Sequence, residues 1–154
     1  MRMGLTSVTA GVPAVVVLVW LAVLSCYDIR ERRLPNLLTL PGAGVILLTA
    51  AFAGRGLPAL AGAGALTGAY LLVHLVAPAA MGAGDVKLAI GLGGLAGCFG
   101  VEVWFLAALA APLLTALWAV GVRVGTGAKG AATVPHGPSM CVATAGAAGL
   151  ALLG

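Results

Sequence analysis

Charge is what this sequence of 154 residues has least of. Lys and Arg number eight and Asp and Glu four, together 8% of the chain, where a soluble domain carries about 25%. With 62% hydrophobic residues and a mean hydropathy of +1.15, the chain lacks the polar surface needed to face water all round. A soluble globular class is excluded, and an integral membrane protein of one domain is expected. The net charge of +4 rests on few side chains, with no basic patch interleaved with aromatics, so no nucleic-acid partner is expected. Cysteine is scarce and scattered. Cys26, Cys98 and Cys141 form no CxxC or Cys/His spacing, which leaves no zinc site and makes all three small buried hydrophobes in expectation. Ser7, Ser25 and Ser139 lack a G-x-S-x-G context, and neither HExxH nor a nucleotide-binding glycine pattern occurs. No metal and no cofactor is expected.

What is present is a series of apolar segments. The first runs from about Val8 to Tyr27, near the ~20 residues that cross the hydrocarbon. Arg2 and the stretch Val23-Leu24-Ser25-Cys26 suggest a signal peptide or lipoprotein box. Leu24 is too large for that box, however, and Arg30, Arg32 and Arg33 follow at once, as at a cytoplasmic stop. Asp28 to Asn36 reads as the first cytoplasmic loop, with Pro35 placed to open the next helix. Further spans are expected at about Leu37–Ala53, Pro58–Val76, Val86–Phe99, Val103–Val122 and Ser139–Leu153. Gly64 and Gly68, one turn apart, suggest a helix-packing face, and His74 a hydrogen-bonded packing residue. Trp104 and Trp118 read as interface anchors. The fold class is therefore all-α: a polytopic membrane bundle of about six helices, core about 10–150, both termini outside. Basic residues support this topology. Arg30, Arg32, Arg33, Lys87, Arg123 and Lys129 fall inside, against Arg2 and Arg55 outside.

Two of the few acids then fall at the same membrane edge. Asp28 closes the first span and Asp85 lies in Met81-Gly82-Ala83-Gly84-Asp85-Val86-Lys87. A carboxylate at a span centre costs about 2.5–3.5 kcal/mol, less toward the interface, and is a functional candidate by default. Paired carboxylates that share one proton supply a base for water and an acid for a carbonyl, which is enough to hydrolyse a peptide. Gly82 and Gly84, free of β-carbons, allow unusual dihedrals and let an extended substrate backbone come close to Asp85. Lys87 reads as a lipid-phosphate or loop anchor. Two other classes fit an apolar chain of this kind: a small proton-coupled transporter and a non-catalytic assembly subunit. The first wants polar residues deep in the spans, where this chain has almost none beyond His74.

Gly82-Ala83-Gly84-Asp85-Val86-Lys87-Leu88 resembles the GxGD signature of the type IV prepilin peptidases. Asp28-Ile29-Arg30 through Arg33-Leu34-Pro35-Asn36 resembles that family's other signature, an aspartate, basic residues and an Ile-Pro-Asn-like turn. Val134-Pro135-His136-Gly137-Pro138 is similar to its Pro-Phe-Gly-Pro loop, with His136 in the place of phenylalanine. The resemblance implies an aspartic endopeptidase of the bacterial inner membrane, multi-pass, its site facing the cytoplasm. It makes Asp28 and Asp85 the catalytic pair and gives Gly82, Gly84 and Lys87 supporting places in the loop. Arg30, Pro35, Asn36, Pro135, Gly137 and Pro138 become motif positions. The implied partners are the lipid bilayer and, as substrate, a type IV pilin-like or pseudopilin precursor cut after a glycine. Larger members also carry a cytoplasmic region with paired cysteine motifs and methylate the new amino terminus. This chain has neither region nor motifs, so it looks like the short peptidase-only form, similar to those serving Flp/Tad-type pili.

Overall fold

In the computed structural model, residues 3–127 and 134–154 are described, with side chains from residue 13 onward. Arg2 and Lys129, both used in the topology count, lie outside the described residues. Six helices follow one another: α1 (Met3–Glu31), α2 (Asn36–Phe52), α3 (Gly56–Val76), α4 (Ala83–Phe99), α5 (Val101–Thr126) and α6 (Gly137–Leu153). The boundaries fall within three residues of those expected from the apolar segments, except that α1 starts five residues earlier and ends four later, and α5 ends four later. The first helix does not stop at Tyr27. It continues through Asp28 to Glu31, because nothing between Tyr27 and Glu31 breaks a helix, and the turn is made by Arg32 at φ 50°. Asp28 is therefore a helical residue and not a loop residue.

The helices alternate in direction, and side-chain bonds mark both ends of the bundle. At one end the Lys87 Nζ donates to Asn36 Oδ1 (2.9 Å), joining the starts of α4 and α2. At the other, the Arg55 guanidinium donates to the Cys98 carbonyl, joining the start of α3 to the end of α4. Helix α4 is the centre, packed on by α2, α3, α5 and α6, while α1 lies against α6 and α2. The glycines of α4 make this possible. A Cβ on Gly93 would stand 2.5 Å from Gly62 O, and one on Gly97 would stand 2.5 Å from Pro58 O, so α3 and α4 meet backbone to backbone. Small residues serve this purpose in membranes, where packing rather than water exclusion drives helices together. The packing face of α3 is accordingly Ala59, Gly62, Ala63 and Leu66. Gly64 and Gly68, the expected pair, face open space. Trp20 fills a slot between α2 and α4, where a Cβ on Gly42 would overlap the indole and one on Gly91 would lie 3.0 Å from it. Its Nε1 donates to Leu38 O at 3.0 Å. Trp104 also proves to be a packing residue, donating to Gly62 O at 2.9 Å.

The outer surface is apolar. Leu37, Phe52, Leu57 and Leu153 are each more than four-fifths exposed, an arrangement that water disfavours and lipid accepts. Segments Pro13–Glu31, Gly56–Val76 and Val101–Thr126 are long and apolar enough to cross a bilayer. The other three helices have 17 residues each, at the short limit of a span. The cysteines divide: Cys141 is buried as expected, Cys98 half-buried, and Cys26 exposed on the surface.

Candidate active site

The end of the bundle where α1, α3 and α5 finish and α2, α4 and α6 begin contains a cavity of about 570 Å³. Asp28, in the last turn of α1, and Asp85, in the first turn of α4, both line it. Each is buried. Two side chains 57 positions apart in sequence thus share one pocket.

Each carboxylate is held by a backbone amide at the start of a helix. Gly82 N donates to Asp85 Oδ2 at 3.2 Å, while Asp85 N bonds back to Gly82 O at 3.1 Å. Asp85 caps its own helix in this way, and the positive end of the α4 dipole favours an anion there. Asp28 stands at the unfavourable end of α1, but the start of α6 reaches across to it. Gly137 N donates to Asp28 Oδ2 at 2.9 Å in a buried bond. A Cβ on Gly137 would stand 2.5 Å from that oxygen and 3.0 Å from Cγ. Position 137 therefore has to be glycine for the carboxylate to come this close. Pro138 follows at the first turn of α6, a place where its missing N–H costs nothing.

The remaining motif residues build the frame. Pro35, at φ −68° and ψ 132°, caps α2 and its carbonyl accepts from Leu38 N, Thr39 N and the Thr39 hydroxyl. Leu34, just before it, is buried against Gly84, where a Cβ would lie 3.2 Å from Leu34 Cβ. The space beside Gly84 is thus taken by the protein's own loop and not left for a substrate. Gly82, at φ −74° and ψ 148°, adopts a conformation open to any residue, so the freedom a glycine allows is not used there. Lys87, expected as a lipid-phosphate or loop anchor, ties its motif to Asn36 of the other. Arg30 is exposed in the last turn of α1, where a cation suits the helix dipole. The loop before Gly82 is fastened by His74, whose Nδ1 pairs with Met81 O at 2.7 Å. This is the packing role expected of it.

Pro135 and His136 form part of the cavity wall together with Thr115 of α5. His136 Nε2 pairs with the Tyr70 hydroxyl at 3.0 Å, and Nδ1 with Thr115 Oγ1 at 2.6 Å. Burial pushes its imidazole below the ordinary histidine range. Tyr70 and Thr115 were not legible as site residues, since each carries one polar atom within a largely apolar stretch of helix. Their only sequence signal is Tyr70 lying four residues before His74, on the same helical face. Among the described residues no group of three or more His, Cys, Asp or Glu is gathered as a metal site would need.

Fold and site together define a helical membrane protein in which two buried acids face one cavity at the end of the bundle. Residues 15–120 match the Type IV leader peptidase family, and the chain belongs to that family. It is by that membership a peptidase, and its apolar helices make it a membrane protein. The matched segment contains both aspartates and ends before the loop at 134–138. No match was found among curated proteins or among solved structures.

Proposed function

We propose that the chain is an aspartic endopeptidase that removes the basic leader of a type IV pilin-like precursor, with Asp28 and Asp85 as its catalytic pair. The observation that carries this reading is the meeting of the two acids on one cavity, each clamped by a helix-start amide. Two carboxyl groups at close range do not both ionise readily, so the pair holds one proton between them. The ionised member takes a proton from a water, which attacks the scissile carbonyl carbon. The neutral member gives its proton to the carbonyl oxygen, and the tetrahedral intermediate collapses as the amine leaves with a proton from the pair. The shared proton belongs to the dyad and not to either residue.

The proposed orientation puts the cavity at the cytoplasmic face of the inner membrane, with both termini outside. Arg30, Arg32, Arg33, Lys87 and Arg123 lie at or near the cavity end and Arg55 at the opposite one, the asymmetry expected of a cytoplasmic edge. Peptidase activity without methyl transfer, on a Flp/Tad-type substrate, is the specific form proposed. Co-expression with a pilin-like precursor tests the reading on a gel. Asp28→Asn and Asp85→Asn each abolish processing while the protein stays in the membrane. Processing that survives either isosteric change would point to an assembly subunit and sink the proposal.

A further inference from the structure

His136 is bonded through both ring nitrogens: Nε2 pairs with the Tyr70 hydroxyl at 3.0 Å and Nδ1 with the Thr115 hydroxyl at 2.6 Å. A neutral imidazole has one N–H, so one nitrogen donates and the other accepts, and each hydroxyl can take either part. The ring is thereby fixed to α3 on one side and to α5 on the other. The next peptide unit, rigid and planar, presents Gly137 N–H to Asp28. Tyr70 in turn belongs to α3, which packs along α4, the helix that carries Asp85. One side chain thus connects the clamp on Asp28 to the helix pair that holds Asp85.

We infer that His136 is a positioning residue: held by Tyr70 and Thr115, it aims Gly137 N–H at Asp28 and so sets where Asp28 stands relative to Asp85. It touches neither scissile bond nor water in this role. The inference rests on the carboxylate-pair reading, and its test separates the two.

The full chain, in detergent micelles, is assayed on a synthetic peptide carrying a basic leader, a glycine and an apolar stretch. The same protein labelled with ¹⁵N-glycine reports the Gly137 amide by NMR. His136→Phe keeps a ring of similar size but loses both bonds. Its kcat falls roughly 10- to 100-fold, the scale of a misplacement near 1 Å, with KM within about 2-fold, and the Gly137 amide signal moves. His136→Gln, with a donor and an acceptor of its own, brings kcat back to within about 3-fold and returns the signal. Tyr70→Phe and Thr115→Val each remove one bond, lower kcat less, and add nothing further in the His136→Phe background. These milder changes carry the test if His136→Phe does not fold. An unmoved Gly137 amide in His136→Phe, or in both milder variants where that one does not fold, overturns the inference, as does unchanged kcat. Asp28→Asn reports on the carboxylate pair alone: a cleaving Asp28→Asn protein ends that reading, while the amide signal still judges His136.

Discussion

The clamp on Asp28 gives the sharpest quantitative test, because a single methyl group opposes it. In Gly137→Ala the new Cβ would stand 2.5 Å from Asp28 Oδ2 and 3.0 Å from Cγ, with 3.4 Å the start of ordinary contact. The carboxylate must retreat by about 0.9 Å, or the α6 start must shift by as much, since Asp28 Oδ2 ends a short, buried side chain already held by the Gly137 amide. Either way the Gly137 N–H bond is stretched beyond use. A buried hydrogen bond to a charged group contributes about 1.5–3 kcal/mol, and overpacking a filled site costs about 1–3 kcal/mol. The first of these acts on the placement of the proposed catalytic carboxylate, where a displacement near 1 Å costs about 100-fold in rate. The expected outcome is a kcat for precursor cleavage reduced about 100-fold, with KM little changed because the wall of the cavity is intact. Initial rates in micelles measure the first, and a thermal melt of the same sample measures the loss of stability. A Gly137→Ala protein cleaving within 2-fold of wild type, with an unaltered melt, would refute the argument that this glycine exists for the carboxylate.

Two further outcomes concern the frame. Gly93→Ala forces a methyl against Gly62 O and Leu66 Cβ, and a backbone neighbour cannot step aside, so stability falls by about 1–3 kcal/mol. Gly64→Ala and Gly68→Ala face open space and gain up to about 1 kcal/mol from helix propensity; melting curves compare the three. Lys87→Met removes the bond to Asn36, which is exposed, so a double-mutant cycle with Asn36→Ala gives a coupling of about 0.2–1 kcal/mol and near-normal cleavage.

The parts of this molecule legible in its sequence are those written in one dimension. Apolar runs gave the helices to within a few residues, and alternation of direction with the basic residues put Asp28 and Asp85 at one end. Choices that depend on rotation about a helix axis were not legible. Gly62 and Gly64 are both small residues on α3, and only the position of α4 decides that Gly62 packs while Gly64 faces outward. Gly84 was read as room for a substrate, yet Leu34 occupies that room, because the turn after α1 is short enough to fold back on the start of α4. The end of α1 is hidden for a related reason. A charged residue after an apolar run suggests the end of a helix, but Asp28 has a partner across the bundle, and with a partner the helix has no reason to stop.

That partner changes what the two aspartate motifs mean physically. Asp85 makes its clamp locally, with an amide three residues away, so the first motif contains its own support. Asp28 has no such amide within its motif and stands at a helix end whose dipole opposes an anion. Its amide clamp comes from Gly137, 109 residues distant, and therefore exists only once α6 has docked on α1. The amide on Asp85 is set by local sequence, the amide on Asp28 by completion of the fold. A chain shortened before α6 would keep the Asp85 cap and lose the Asp28 clamp. The Gly137 loop thus belongs to the site as fully as the aspartates it serves.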